Sequence, residues 1–455
     1  MVADVRLIRS PLSVAGMVLT TISAALFLVV FLADLFGLHT NPYIGIVFFL
    51  VLPALFVLGL LLIPLGAWVE RRRRAIGKAP SAVHWPRIDL NDPTQRMTAF
   101  IIFLLTIANI VIVSLGAYRG VEYMDTVGFC GQVCHTPMNP EFVAHDSQPH
   151  AQVRCVACHV GPGATSFAKA KLAGTRRVLA VTFNNYPRPI VATADKLLSA
   201  RDTCEQCHWS AEFHGDKVRR IVEYSNDEKN TESVTTLRVH VGGGNGRLGT
   251  ASGIHWHMNL VNEIEYIASD AERQAIPYVR IKDGSGNVRE YVADGATPDQ
   301  LQGERRRMDC TDCHNRPSHA IAATPERAVN DAMALGHIPT TLPFIHREAV
   351  KALKGTYPSQ EAAVGEISRA LRDFFRTEQP QVAATREPEI ERAVLGVQDL
   401  FRRNVFPEMK VGFGTYPNNI GHIDFPGCFR CHDDNHKTKD GKKIGQDCET
   451  CHAIE

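Results

Sequence analysis

The sequence predicts a three-helix transmembrane anchor followed by a larger outer domain, which is mostly α-helical or irregular and carries a β-rich insertion. Three observations predict this fold class. Long apolar runs are confined to the first 118 of the 455 residues, alternating β-branched and polar residues fill a central stretch, and twelve cysteines recur in close pairs. The formal net charge of +1 gives no reason to expect a nucleic-acid partner.

The apolar runs cover residues 11–36, 42–68 and 97–118. Each reaches the length of about 20 residues that an α-helix needs to cross the hydrocarbon core of a bilayer. The first run is too long for the apolar region of a secretory signal peptide, and no small-residue cleavage site precedes the second run. We therefore predict a retained anchor of three membrane helices over residues 1–118.

Basic residues predict the orientation of this anchor. Arg6 and Arg9 precede the first run, and the basic stretch 71–74 with Lys78 follows the second, whereas residues 37–41 contain no Lys or Arg. The positive-inside rule places the N-terminus and the loop at about residues 70–95 in the cytoplasm. Residues from 119 onward then lie outside, on the periplasmic face of a bacterial cytoplasmic (inner) membrane.

All twelve cysteines belong to six motifs of one kind, which we number one to six along the chain. In each motif a histidine directly follows the second of two closely spaced cysteines. The cysteines are Cys130 and Cys134, Cys155 and Cys158, Cys204 and Cys207, Cys310 and Cys313, Cys428 and Cys431, and Cys448 and Cys451. The histidines are His135, His159, His208, His314, His432 and His452. Five motifs read CxxCH and motif one reads CGQVCH. This pattern attaches haem c: two thioethers hold the porphyrin and the histidine ligates iron. The sequence thus predicts six covalently bound haems.

Zinc and disulfides are the alternatives for paired cysteines. A structural zinc site takes two pairs to close one tetrahedron and requires no histidine after each pair. Adjacent CxxC pairs also suit a disulfide framework poorly. Haem is attached to such motifs outside the cytoplasmic membrane, so the motif chemistry and the predicted topology agree independently.

The outer domain divides into four predicted segments. Residues 119–210 hold motifs one to three, residues 211–309 form the β-rich insertion, residues 310–420 hold motif four and a helical spacer, and residues 421–455 hold motifs five and six. Alternation predicts strands at 217–224, 235–241, 264–268, 278–282 and 287–292. Apolar spacing of three and four predicts helices at 325–335, 347–354, 361–376 and 388–403, with Thr324 and Ser359 at N-cap positions.

An electron-transfer haem has two strong axial ligands, because six-coordinate low-spin iron reorganises little between oxidation states. Outside the motifs, eleven histidines follow residue 119. We predict distal ligands close to the motifs: His145, His150, His214, His319, His422 and His436. Either His255 or His257 is a further candidate. If residues 253–257 form a strand, both side chains point to one face and only one reaches an iron, for which we select His257. For motif one, the candidate ligand is Met138.

The region of motifs one and two carries a family resemblance. The matching residues are 124–126, Phe129 and Cys130, 134–140, 147–150 and 155–160. They resemble the NapC/NirT family of quinol-oxidising multihaem cytochromes, over about residues 100 to 210. The resemblance implies that the haem next to the membrane takes electrons from quinol and that the other haems pass them to a periplasmic partner. It also implies a lysine in the quinol site, at the position of Lys171. Family members usually have one anchor helix and four haems, and Val178 stands where an acidic residue is expected.

These observations predict a quinol-oxidising cytochrome c that takes electrons from the membrane quinol pool and passes them to a periplasmic cytochrome or reductase. Lys171, Asp125 and Glu141, with His145, are candidate groups for binding quinol and accepting its protons. The alternative is a terminal multihaem reductase of a small oxyanion such as nitrite, which needs a haem with an open distal position. A redox sensor fits less well, because the cytoplasmic loop is too short for a signalling domain.

Overall fold

The computed structural model describes residues 10–35, 52–77, 89, 91–133, 135–161, 164–190, 199–209, 212–243, 252–259 and 261–455. Arg6, Arg9, Lys78 and Cys134 lie outside these residues, as do the side chains of His135 and Lys171. The chain forms two compact units, Met1–Met124 and Asp125–Glu455. The division therefore comes six residues later than the end of the last apolar run.

Three helices make up the described part of the first unit: α1 (Pro11–Leu35), α2 (Leu52–Ala75) and α3 (Pro93–Met124). Each is long and apolar enough to cross a membrane. Pro64 lies inside α2, which a membrane helix tolerates when neighbouring groups satisfy the freed carbonyl. The three helices confirm the predicted spans over residues 11–35, 52–68 and 97–118, whereas residues 36 and 42–51 of the predicted spans lie outside the described residues. Helix α3 begins and ends several residues beyond its apolar run because polar residues continue the helix.

Helices α1 and α2 approach each other closely at small residues. A Cβ atom added to Gly16 would lie 2.7 Å from the carbonyl oxygen of Gly59. The hydroxyl of Ser13 donates a hydrogen bond to the carbonyl of Ile63 across the same interface, at 2.8 Å. Small residues and interhelical hydrogen bonds are what hold helices together in lipid, where apolar surface alone gives no preference for a protein neighbour.

Gly16→Leu is expected to separate α1 from α2, since the added side chain overlaps the backbone of α2 at Gly59. The expected loss is about 1–3 kcal/mol in the free energy of unfolding, measured by denaturant titration of the protein in detergent micelles. Val18→Leu is the matched control, because Val18 is 51% exposed on the same helix. Equal stability of the two variants would contradict this close packing.

The second unit contains ten further α-helices among its described residues. They are α4 (His135–Asp146), α5 (Cys155–His159), α6 (Ala164–Thr182), α7 (Ala200–Thr203), α8 (Cys310–Cys313), α9 (Pro325–Ala334), α10 (Ile345–Leu353), α11 (Gln360–Glu378), α12 (Pro380–Thr385) and α13 (Glu387–Asn404). A π-helical turn spans Phe129–Val133, and 3₁₀ turns span Cys204–Gln206, Ile254–Met258, Gln300–Gln302, Pro407–Met409, Gly427–Arg430 and Cys448–Thr450.

The spacer helices α9 to α13 enclose the largest hydrophobic core of the unit. Ile367, Leu371 and Phe375 of α11 are buried in it, at the spacing of one helix face. The hydroxyls of Thr324 and Ser359 accept hydrogen bonds from backbone N–H groups in the first turns of α9 and α11, as N-caps do. The predicted caps and helix positions are confirmed to within a few residues.

The strands form two antiparallel sheets. They are β1 (Asp216–Tyr224), β2 (Glu232–His240), β3 (Glu263–Ile267), β4 (Tyr278–Lys282), β5 (Val288–Ala293), β6 (Arg306–Arg307), β7 (His436–Lys437) and β8 (His452–Ile454). One sheet has the order β1-β2-β8 and the other β6-β3-β4-β5-β7. Both therefore recruit an edge strand from the C-terminal segment. The predicted segments 211–309 and 421–455 are thus not separate bodies, because backbone hydrogen bonds of the insertion are completed by strands too short to be predicted from alternation.

Candidate haem-binding sites

Histidine rings from distant parts of the chain face the motif histidines in pairs. In five of the six motifs the motif histidine has a second imidazole opposite it. The ring centroids are 6.1 Å apart for His159 and His319, 6.1 Å for His208 and His150, 6.3 Å for His314 and His255, 5.8 Å for His432 and His257, and 6.2 Å for His452 and His422.

This separation fits a shared iron. An imidazole nitrogen lies about 2 Å from a metal it ligates, so two rings on opposite sides of one metal have centroids about 6 Å apart. Rings in van der Waals stacking would lie closer, as His422 and Phe429 do at 4.1 Å. Six histidine pairs have nearly the same spacing: five contain one motif histidine, and the sixth joins His145 to His319 at 6.1 Å. The five pairs that contain a motif histidine fit bis-histidine ligation of haem.

Backbone carbonyls orient the rings opposite the motif histidines. The Nδ1 atoms of His150, His319, His255 and His257 lie 3.1, 3.0, 3.1 and 2.7 Å from the carbonyl oxygens of Pro317, Glu141, Val241 and Ile254. A carbonyl only accepts, so each Nδ1 carries the proton and Nε2 keeps its lone pair. That tautomer is the one that metal-ligating histidines present when their second nitrogen is held by a backbone group.

Burial keeps several of these rings neutral. It lowers the pKa of His319 to about 4, with the Arg316 guanidinium acting in the same direction. Burial also lowers the pKa of His255 and of His257. Only the neutral imidazole binds a metal, so at neutral pH these three rings are already in the ligating form.

A cavity of about 400 Å³ is lined by the two facing rings of motif five. His257 and His432 line it together with Cys431, the second cysteine of motif five. Ile264, Val279 and Met308 supply part of its apolar wall. A pocket of this size, apolar apart from a few convergent ligands, is typical of a cofactor site. The residues of motif five therefore fit a haem, with two axial nitrogens and a thioether position facing one apolar space.

Cysteines of consecutive motifs lie beside each other. Cys155 of motif two hydrogen-bonds with Cys130 of motif one, and Cys204 of motif three hydrogen-bonds with Cys310 of motif four. The remaining neighbours interact electrostatically: Cys158 with Cys204 and Cys207, Cys313 with Cys428 and Cys431, and Cys451 with Cys428. The motifs thus form a spatial series in sequence order, from one to six.

The structure departs from the predicted distal set at three histidines. His436 is buried, and its two ring nitrogens face the Asp433 carboxylate at 2.8 Å and the Ile276 carbonyl at 2.7 Å, so neither is left for iron. Nε2 of buried His145 lies 3.0 Å from the Val153 carbonyl. His214 is exposed, with Nδ1 on the Glu212 carbonyl, and no motif histidine in the described part of the chain pairs with it. Backbone carbonyls contact all three rings, and the Asp433 carboxylate contacts His436 as well.

His255 is the ligand candidate that the sequence argument set aside. In the strand considered for residues 253–257, residues two apart would point to the same face. Residues Ile254–Met258 instead form a 3₁₀ turn, where about three residues complete a turn and residues two apart point in different directions. His255 and His257 therefore face two different motifs. The density of histidine in Gly-Ile-His-Trp-His was the available signal.

The predicted quinol-site residues have different surroundings. The Glu141 carboxylate forms an ion pair with Arg316 at 3.2 Å, and its Oε2 lies 3.3 Å from Nδ1 of the neutral His319 ring, so Glu141 supports the ring opposite motif two. Asp125 is the first residue of the second unit. Lys171 belongs to α6, and Met138 lies on the first turn of α4, on the same face as position 135. If His135 holds one side of the first iron, the opposite ligand comes from another element.

The arrangement does not fit the zinc or disulfide alternatives. Across the described ranges, no three side chains of His, Cys, Asp or Glu are placed to enclose a metal ion by themselves. The eleven described cysteines are free thiols. In motifs two to six, two facing imidazoles and two thiols are instead the groups that would hold a haem.

The comparison with known proteins decides the family. The chain is 40% identical over 449 residues to the cytochrome c-type protein ImcH of Geobacter sulfurreducens, covering 98% of this chain and 88% of that protein. The chain belongs to the ImcH family of c-type cytochromes. Covalently bound haem c follows from that membership, and the paired histidines and free motif cysteines are the groups that would hold it. No protein-family model and no solved structure matches the chain.

Proposed function

We propose that the chain is a six-haem, quinol-oxidising cytochrome of the cytoplasmic membrane, which passes single electrons along its haems in sequence order to a periplasmic redox partner. The observation that carries this proposal is the series of neighbouring cysteines from motif one to motif six. Each thioether lies at the edge of its porphyrin, so neighbouring cysteines bring neighbouring macrocycles close.

The proposed iron ligands are the five imidazole pairs, and at motif one either His135 or Met138, with the opposite ligand supplied by another element. Two nitrogen ligands keep iron six-coordinate and low-spin in both oxidation states, which suits electron transfer. The same pairs argue against the oxyanion reductase, because a substrate needs an open position on iron. Motif one is then the place where a differently ligated haem can serve a different purpose, and it follows the third candidate span directly in the sequence.

The proposed quinol site rests on the resemblance to NapC/NirT cytochromes and on the residues near motif one. Lys171 would donate a hydrogen bond to the quinol oxygen and stabilise the phenolate that develops as the proton leaves. Asp125 is a candidate proton acceptor. We no longer assign that role to Glu141, since its carboxylate is engaged by Arg316 and His319. Its proposed role is to orient His319.

The proposed exit is the sixth haem. Motif six ends the series of neighbouring cysteines, so a partner that accepts electrons there draws on the whole relay. The basic residues on the N-terminal side of the anchor support a cytoplasmic N-terminus and a periplasmic haem unit. The partner is then another periplasmic cytochrome or reductase.

The proposal is tested by adding a menaquinol analogue to the protein, purified in detergent under nitrogen, while the haem α-band is recorded. Prompt reduction is expected in the native protein. Lys171→Ala should reduce about a hundredfold more slowly, the usual cost of losing one hydrogen-bond donor to a developing oxyanion. Lys169→Ala is the matched control, because Lys169 is an exposed lysine on the same helix. If no quinol reduces a protein that dithionite reduces fully, the proposal of quinol oxidation fails.

A further inference from the structure

Arg430 joins motif five to motif four. It lies between the two cysteines of motif five and donates three hydrogen bonds of 2.8 Å, from Nε to the Gly427 carbonyl, from Nη1 to the Arg273 carbonyl and from Nη2 to the Asp312 carbonyl. Asp312 lies between the two cysteines of motif four. All three acceptors are uncharged, and none of the ion pairs within the described ranges includes Arg430. Among the described residues, no carboxylate is therefore paired with its positive charge.

The Asp312 side chain is neutralised by other groups. It is 2% exposed, and its Oδ1 accepts hydrogen bonds from Tyr266 at 2.6 Å, Arg273 at 3.0 Å and Arg306 at 2.8 Å. Its Oδ2 accepts one from the Asp309 backbone at 2.7 Å. Two guanidinium groups thus share one buried carboxylate. These hydrogen bonds hold the backbone of motif four rigidly. The Asp312 carboxylate is already paired with Arg273 and Arg306, so Arg430 adds a further positive charge beside it.

The distal side of the same two motifs is joined as well. His255 faces His314 of motif four, and His257 faces His432 of motif five, from the single 3₁₀ turn Ile254–Met258. Haems four and five would therefore be fixed to each other on both sides, by one turn distally and by Arg430 proximally. Because the two haems would keep a fixed separation, a charge placed between their motifs would act on both of them.

We propose that Arg430 raises the reduction potentials of haems four and five, so that an electron is more stable on this pair than on the other haems of the relay. The inference rests on the proposed attachment of haem to all six motifs. Adding an electron to ferric haem removes one positive charge, so an uncompensated cation nearby favours the reduced state, and it does so more strongly inside a protein than in water. Arg430 is close enough to interact electrostatically with Cys313, Cys428 and Cys431, which belong to both motifs.

The test is a potentiometric titration of the full-length protein in detergent, followed by the α-band and by electron paramagnetic resonance. The ring planes are nearly parallel at motif four, at 3°, and nearly perpendicular at motif five, at 81°. The anisotropy of low-spin ferric haem depends on this angle, so haems four and five give distinguishable signals. The rings of motif three cross at 79°, so the signal of haem five is separated from that of haem three in a Cys204→Ala/Cys207→Ala background. Arg430→Met should lower the potentials of these two haems by about 59 mV, a tenfold change in the equilibrium constant of a one-electron reduction.

Three further variants separate charge from packing. Arg430→Lys keeps the charge but not the three-way hydrogen bonding, and it should retain most of the native potential. Asp312→Asn removes a negative charge, so it should shift the same signals upward. Arg369→Met is the matched control, since Arg369 is an exposed arginine of α11, and it should leave all potentials unchanged. Shifts of opposite sign at the same haems are not expected from a purely structural role.

The inference is overturned if Arg430→Met and Arg430→Lys lower the potentials equally, or if Arg430→Met behaves like Arg369→Met. If Arg430→Met does not retain its haems, Arg430→Gln decides, because it keeps hydrogen-bond donors without the charge: lowered potentials support the inference and unchanged potentials overturn it. Haem content is measured on every sample by the pyridine haemochrome spectrum. Fewer than six haems in the native protein would count against the proposed function itself, whatever the Arg430 variants show.

Discussion

Replacing His257 with alanine is expected to convert one of the six haems from low-spin to high-spin. The variant removes the only ring in the described chain that pairs with His432. It also enlarges a cavity of about 400 Å³ into which an external ligand can move. We therefore expect one more high-spin haem in the ferric state, and one more bound carbon monoxide in the ferrous state, than in the native protein.

His436→Gln is the matched comparison for this variant. His436 is a buried histidine only four residues after the motif-five histidine, and sequence proximity made it a candidate ligand. Because both of its ring nitrogens are bonded to protein oxygens, its loss should leave every haem low-spin. A spectrum in which His436→Gln creates the high-spin haem and His257→Ala does not would exchange the two assignments.

Removing haem four is expected to cut the relay in the middle. In Cys310→Ala/Cys313→Ala both thioethers of that haem are lost, while the loop keeps the hydrogen bonds that Asp312 receives from Tyr266 and Arg306. If electrons follow the order of the motifs, quinol should rapidly reduce only three of the five remaining haems, and dithionite should reduce all five. Stopped-flow recording of the α-band amplitude measures the difference.

Removing the last haem provides the control for that experiment. In Cys448→Ala/Cys451→Ala five haems also remain, but they form an unbroken series from motif one, so quinol should reduce all five. Rapid reduction of all five haems in the variant without haem four would contradict a linear order. It would require a second path from motif three to motif five.

Local patterns carried most of the fold prediction. The N-caps Thr324 and Ser359 and the apolar face of α11 depend on residues within one or two turns of each other, and these helices lie where periodicity predicts them. The apolar runs likewise depend only on composition and length. Strands β7 and β8 were missed, since they have two and three residues and exist only because β5 and β2 offer free edges.

The sequence by itself determined the chemistry of attachment, because two cysteines and a histidine at fixed spacing can bind one porphyrin and its iron through local residues alone. Only the tertiary structure decided which histidine faces which motif. His159 meets His319 and His208 meets His150 across long stretches of chain, and no local rule ranks such partners. The same holds for Arg430, whose hydrogen bonds to Gly427, Arg273 and Asp312 exist only once motifs four and five are packed together. Spacing along the chain fixes which bonds can form, whereas packing fixes which distant groups share one buried space.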